Sequence, residues 1–301
     1  MPRKIKVATT CFNEEFRRNV SPEDNLKRAL ELLDVAKSLK PDLICFPEVF
    51  LETGVTKRPV SDELRDILIN SISEKAKELR SYIVIGGYEP IGNAQRYNSA
   101  WLIGRDGSII GRYDKYHPTI GEIEDYRVKP GNEVSVFETD FGKLGITICY
   151  DIGWPSIWNT LGDKGAEVVV WISAYDGGFP LQVYAWSNFY YIVSSVRTHH
   201  SKIIDKTGRI LSSTSRWSSI TYKVIDLEKE IFHIDGQFQK LSEIQRRFGL
   251  DITIEAFSEE NIFTLESNNP EWPLARVIKE FELETFREYH KRAELIQNKW
   301  R

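Results

Sequence analysis

Leu43-Ile44-Cys45-Phe46-Pro47-Glu48 is the stretch on which the reading of the fold turns. Four consecutive apolar residues without polar alternation read as a short strand buried on both faces. Pro47 ends the run and a carboxylate follows at once. A strand covered on both sides requires further layers, so the surroundings decide what those layers are. Upstream, residues 5–10 read as a first strand. Ser21-Pro22 then opens a helix, Ser21 as N-cap and Pro22 at the first helical position. Leu26, Ala29, Leu30, Leu33 and Ala36 share one face of it, and Pro41 stops it. Downstream, Leu64, Leu68, Ile72, Ala76 and Leu79 mark a second amphipathic helix, before a buried strand over 82–85 closed by Gly86-Gly87.

The alternation continues. Strands over 99–103 and 108–113 flank the turn Arg105-Asp106-Gly107, and strands over 134–139 and 144–148 flank the turn at 140–143. A helix is expected from Pro155 to about Gly162, then a strand over 167–172, a helix over 181–189 and a strand over 191–196. A hairpin follows around Asp205-Lys206-Thr207-Gly208, and 221–225 reads as an edge strand. Strands interleaved with helices in this way predict an α/β fold. From Leu227 the character changes. Residues 228–301 are charge-rich and read as mostly helical, with Leu274, Ile278, Phe281, Tyr289, Ala293 and Ile296 on one helical face. The expected organisation is a core over 1–227 and a C-terminal extension over 228–301, packed on the core or on a neighbouring subunit.

Bulk properties narrow the function. A formal charge of −4 over 301 residues gives no reason to expect a nucleic-acid or membrane-surface partner. No run approaches the roughly 18 apolar residues of a membrane span, and the N-terminus lacks the apolar centre of a secretory signal. Cys11, Cys45 and Cys149 are odd in number and show no metal-ligand spacing, so a reduced, cytoplasmic chain without metal or cofactor is expected.

Three reactive groups then stand out. Glu48 ends the strand at 43–46. Lys115 follows a strand in Gly111-Arg112-Tyr113-Asp114-Lys115-Tyr116-His117, and Cys149 follows one in Gly145-Ile146-Thr147-Ile148-Cys149-Tyr150-Asp151. Ligands of α/β sheets bind beyond the carboxyl ends of strands. The set is chemically coherent. A thiol needs a base to become a nucleophile, a partly buried carboxylate can be that base, and a fixed ammonium can stabilise an oxyanion by about 3–4 kcal/mol. The backbone N–H of Tyr150 is the natural second oxyanion donor. Each residue taken singly also has an ordinary reading, as packing thiol, loop carboxylate or surface lysine.

Phe46-Pro47-Glu48, Tyr113-Asp114-Lys115-Tyr116-His117 and Ile148-Cys149-Tyr150-Asp151, in this order, resemble the nitrilase superfamily of carbon–nitrogen hydrolases. Gly165-Ala166-Glu167 and Asp205-Lys206-Thr207-Gly208-Arg209-Ile210 extend the likeness, which runs from about Lys4 to about Ile225. It implies a four-layer α-β-β-α sandwich that pairs through a helical face into a homodimer or larger assembly. It implies Glu48, Lys115 and Cys149 as the catalytic set. It also implies a second glutamate seven residues before a glycine, a spacing that selects Glu124, ahead of Gly131, over Glu122. Trp171, where relatives commonly carry Asn or Phe followed by Pro, would then line the pocket. Tyr-Asp after the cysteine points to amidase and carbamoylase branches rather than true nitrilases. The loop Tyr175-Asp176-Gly177-Gly178-Phe179-Pro180 would cover the pocket, with Phe179 setting substrate fit. The expected function is hydrolysis of an amide, N-carbamoyl or ureido substrate through a cysteine thioester. A nitrilase producing acids and a silent scaffold that binds a partner are the alternatives. For a substrate carboxylate, Arg127, Lys57 and Arg58 are the candidate cations.

Overall fold

The computed structural model describes residues 3–55 and 60–301. Strand β1 (Lys4–Thr10) leads to helix α1 (Pro22–Lys37), which starts as the sequence dictates. The Ser21 hydroxyl accepts from Asp24 N–H, the Asp24 carboxylate accepts from Ser21 N–H, and Pro22 occupies the first turn. Next come β2 (Leu43–Cys45), α2 (Asp62–Leu79), β3 (Tyr82–Gly92), β4 (Gln95–Ile103), β5 (Ile109–Asp114), the five-residue helix α3 (Ile120–Glu124), β6 (Val136–Glu138) and β7 (Lys143–Ile148). Then follow α4 (Pro155–Asp163), β8 (Val168–Ser173), α5 (Phe179–Asn188), β9 (Tyr191–Val196), β10 (Lys202–Ile204), β11 (Ile210–Ser213) and β12 (Ile220–Asp226).

These strands form two six-stranded sheets, ordered β12-β1-β2-β3-β4-β5 and β11-β10-β9-β8-β7-β6. Each has a parallel centre, β1-β2-β3 in one and β7-β8-β9 in the other. β5 is reached from β3 through two antiparallel steps. It therefore runs in the direction of β2, and Glu48 and Lys115 leave the first sheet at the same edge. Leu26, Ala29, Leu33, Leu68, Ile72 and Ala76 bury α1 and α2 on the outer face of the first sheet. Ile157, Trp158, Leu161, Leu181 and Ala185 bury α4 and α5 on the outer face of the second. The inner faces meet. Thr9 Oγ1 donates to the Ser194 carbonyl at 2.7 Å, and Ser195 Oγ reaches the carbonyls of Thr10 and Cys45 at 2.8 and 3.1 Å. The architecture is a four-layer α-β-β-α sandwich.

Gly86 does not close its strand, as its sequence context led one to expect. β3 runs through it to Gly92, and the glycine serves close approach instead. A Cβ there would stand 2.7 Å from Ile172 Cδ1, 2.8 Å from the Pro47 carbonyl oxygen and 2.9 Å from Glu48 Cα.

The chain divides into two compact units, Ile5–Val224 and a second made of residues 3–4 with Ile225–Arg301. The second has its own core. β13 (Glu230–His233), α6 (Phe238–Phe248), β14 (Ile252–Phe257), β15 (Ile262–Ser267), α7 (Leu274–Glu280) and α8 (Phe286–Trp300) build it, with an antiparallel sheet in the order β13-β15-β14. Phe232, Ile244, Phe248, Phe263, Leu265, Val277 and Phe281 pack together within it. The helical expectation for 228–301 is thus incomplete. Three helices are present, but the three strands, one before α6 and two after it, carry much of the apolar core. Ile252, Ile254, Leu265 and Phe263 show the period-2 spacing, which the charged residues around them obscure. No helix among the described residues is long and apolar enough to cross a membrane.

Candidate active site

β2 delivers Phe46, whose N–H donates to the Val84 carbonyl at 2.9 Å, and two residues later the chain presents Glu48. The next residue, Val49, turns at φ 42°, a left-handed conformation a β-branched side chain strongly disfavours. Cys149 follows β7 and sits at φ 46° at the start of the 3-10 turn Cys149–Gly153. Backbone strain of this kind persists only where the surroundings over-determine it. Here the surroundings do. Trp171 Nε1 donates to the Cys149 carbonyl at 3.1 Å, and the Asp151 carboxylate accepts from Ile148 N–H at 3.0 Å. Lys115 is pinned from both sides, its N–H donating to the Asn98 carbonyl and its carbonyl accepting from Gly131 N–H, each at 2.8 Å.

The three side chains meet in one cavity of about 650 Å³. Lys115 is 1% exposed and Glu48 4%. Lys115 Nζ donates to Glu48 Oε1 at 2.8 Å, and Asn98 Nδ2 donates to the same oxygen at 2.7 Å. Glu48 Oε2 accepts from Ala174 N–H at 2.9 Å. Ala174 borders the same cavity as the carboxylate and the thiol.

Burial, reinforced by the Glu48 charge, pushes the Cys149 thiol up to about 12, although Lys115, Ser173 and Ala174 act in the opposite direction. The resting cysteine is therefore a protonated thiol in a cavity that also holds the Glu48 carboxylate. Burial disfavours the Lys115 ammonium, but the charges of Glu48 and Glu122 and the bond to Glu122 outweigh it and raise its pKa above the ordinary lysine value.

The second glutamate in the site is Glu122, which corrects the choice of Glu124. Lys115 Nζ stands 3.0 and 2.8 Å from the Glu122 carboxylate oxygens, and Asn98 Nδ2 donates to Oε1 at 2.7 Å. Burial would raise the Glu122 pKa, yet the Lys115 charge with the bonds from Lys115, Thr119 and Asn98 brings it below the ordinary value. Glu124, two positions along the same short helix, is exposed. Residues i and i+2 of a helix point to different faces, so only one of the pair can turn inward. The capping box decides which, because the Glu122 carboxylate also accepts from Thr119 N–H at 2.7 Å. Thr119-Ile120-Gly121-Glu122 carried that signal in the sequence. Asn98, which bridges both carboxylates, was not singled out from the sequence.

Trp171 is fully buried and supports the cysteine backbone rather than lining the cavity, since β8 is covered on both faces. Phe179 is 71% exposed at the start of α5, and Tyr150 turns its ring edge-on to Trp154 at 4.9 Å. Neither Phe179 nor Tyr150 is among the described residues that line the cavity. Arg127 is exposed and borders another hollow with Asn93 and Gln95. Lys57 and Arg58 lie outside the described residues. The guanidinium groups at the cavity belong to Arg96 and Arg197. Arg197 pairs with Glu14, and Arg96 lies over the Tyr88 ring at 5.3 Å. Among the described residues no group of three or more His, Cys, Asp and Glu side chains could hold a metal ion.

A buried thiol, carboxylate and ammonium gathered at strand ends of two facing sheets give this fold a site of the enzyme kind. Residues 7–231 match the carbon–nitrogen hydrolase family, and the chain belongs to that family. It is 26% identical over 277 residues to an omega-amidase of Mus musculus, covering 82% of this chain and 94% of that protein. It is 28% identical over 243 residues to a deaminated glutathione amidase of Dictyostelium discoideum, covering 68% and 84%. The crystal structure of an amidase from Nesterenkonia sp. shares the fold at a TM-score of 0.64 and 20% identity, over 81% of this chain and 96% of that one. A carbon–nitrogen hydrolase from Helicobacter pylori does so at 0.66 and 19%, over 82% and 93%.

Proposed function

We propose that the protein is an amidase that cleaves a short primary amide through a thioester on Cys149. The observation that carries this reading is the convergence of Cys149, Glu48 and Lys115 on one cavity, with Lys115 Nζ bonded to the Glu48 carboxylate. Glu48 takes the thiol proton as sulfur attacks the carbonyl carbon. The oxyanion forms against Lys115 Nζ and the backbone N–H of Tyr150. Glu48 returns the proton to nitrogen, the C–N bond breaks and ammonia leaves. Water then adds to the thioester, Glu48 takes its proton, and the acid departs as the thiol is restored. Glu122 and Asn98 hold the ammonium and the base in register throughout.

The amidase names of the relatives favour an amide substrate, and the guanidiniums of Arg96 and Arg197 at the cavity favour one negative at its far end. The three cysteines are free and buried, which suits a reducing cytoplasm. A homodimer or larger assembly is part of the proposal, and light scattering measures it.

The deciding experiment is ammonia release from a panel of primary amides with and without a distal carboxylate, N-carbamoyl amino acids, ureido acids and nitriles. Cys149→Ala runs beside the wild type. Release from carboxylate-bearing amides, abolished in the variant, is expected. Turnover that survives the substitution would sink the mechanism, and release confined to nitriles would move the reading to a nitrilase.

A further inference from the structure

Asp151 is fully buried two residues after Cys149, yet the mechanism above gives it no task. Its carboxylate is fully used. Oδ1 accepts from His117 N–H at 2.8 Å, while Oδ2 accepts from the Tyr113 hydroxyl at 2.7 Å and from Ile148 N–H at 3.0 Å. His117 Nδ1 stands 3.4 Å from Oδ1. Tyr113 and His117 lie two residues before and two residues after Lys115. Ile148 immediately precedes Cys149. One carboxylate therefore ties both flanks of the lysine to the turn that carries the cysteine.

The supports around this tie are themselves fixed. Burial and the Asp151 charge hold the Tyr113 phenol well above its ordinary pKa, so it remains a donor. The His117 ring stacks on Trp154 with centroids 3.8 Å apart and planes 6° from parallel. The Asp151 carbonyl accepts from Trp158 Nε1 and from Trp154 N–H, each at 3.2 Å, which anchors the turn to α4.

We propose that Asp151 is a positioning residue that sets the separation of the Lys115 ammonium from the Cys149 sulfur, and so places the oxyanion donor for carbonyl attack. The inference rests on the reading of Cys149 as nucleophile and Lys115 as oxyanion donor. Three donors converge on its two oxygens, each of which accepts. In Asp151→Asn one of these oxygens becomes an N–H donor facing another donor, and the lysine segment shifts. A displacement of about 1 Å in such a site lowers turnover by about 100-fold.

The test uses the amide that the wild-type protein turns over. Asp151→Asn is expected to lower kcat by about 100-fold with KM changed less than about threefold, because the loss falls on the transition state. Carbonyl addition, read as single-turnover thioester formation, should slow by the same factor. Thiol–disulfide exchange of Cys149 with an aromatic disulfide forms no oxyanion, and its rate should change less than about threefold. A folded variant with wild-type kcat overturns the proposal. So does an equal loss in amide cleavage and disulfide exchange, which marks general damage to the site. Tyr113→Phe removes one donor only and guards against a variant that does not fold. It should lower kcat by about three- to tenfold with KM unchanged, and an unchanged kcat there also overturns the proposal. Wild-type silence on every amide is a different outcome, and it defeats the amidase reading instead.

Discussion

The outer faces of the two sheets and the polar seam at the site are built by different chemistry. Outside, Leu33, Leu68, Ile72, Trp158, Leu161 and Ala185 make apolar contact between sheet and helix. Inside, Thr9, Ser195 and Ser201 bond backbone carbonyls across the gap, and Glu48, Asn98, Lys115 and Glu122 share one hydrogen-bonded seam. Apolar contact is strong and non-directional, so it holds layers together without fixing atoms to fractions of an ångström. Hydrogen bonds contribute little net energy but specify distance and angle. Placement at the site is thus carried by hydrogen bonds, whereas apolar contact, which also fills the inner faces at Val7, Val168, Val170 and Ile172, carries stability. The seam carries two carboxylates and one ammonium away from water, an arrangement that apolar side chains would match or exceed in stability.

Substitutions can break that division or sharpen it. The largest effect should come from Glu48→Gln, which removes the proposed base and should lower kcat by about 10²–10⁴. The urea midpoint should stay at or above that of the wild type, and a large fall would mean that the seam also holds the fold. Leu33→Ala on the outer face should do the reverse, lowering stability by about 2–5 kcal/mol with kcat of the folded enzyme unchanged. Denaturant titration beside steady-state kinetics separates the two outcomes.

A gentler effect is expected in alkali. The Cys149 thiol ionises near 12 in the folded protein against an ordinary value of 9.0. Its contribution to stability is therefore complete below about pH 9 and is lost as pH rises toward the folded value. Urea midpoints between pH 9 and 11 should fall more steeply for the wild type than for Cys149→Ala, and parallel slopes would contradict a thiol protonated at rest. The smallest change belongs to Ser195→Ala. The Thr10 carbonyl keeps its bond from Ser201 Oγ at 2.7 Å, so a loss of about 0.5–1.5 kcal/mol is expected in the same titration.

The sequence disclosed the two regions unequally. Outer-face residues repeat along each helix, so Leu26 through Ala36 and Leu64 through Leu79 marked their helices directly. Strand ends with reactive groups, at Glu48, Lys115 and Cys149, could be placed because an apolar run points to them. Asn98 could not. It becomes meaningful only through the register that lays β4 beside β5, which no local pattern encodes. Glu122 was legible in principle through its capping box, but a family spacing pointed two residues further on, to the opposite side of a single helical turn. Trp171 showed the converse error. The family resemblance implies a pocket wall there, whereas its indole N–H serves the backbone of Cys149. In the second unit, Ile252–Phe257 and Ile262–Ser267 alternate like strands, and their charged neighbours hid the signal.

The left-handed turn at Cys149 has a consequence for descent. At φ 46° an L side chain is held at a disadvantage of about 1–2 kcal/mol, and glycine would adopt the same angle freely. While the thiol is used, glycine is lethal to turnover and lineages must keep the strained residue. Once a copy of this chain is released to other work, heat tolerance alone rewards glycine at 149. That position should be among the first to drift, and the identity of its occupant would date the loss of the chemistry.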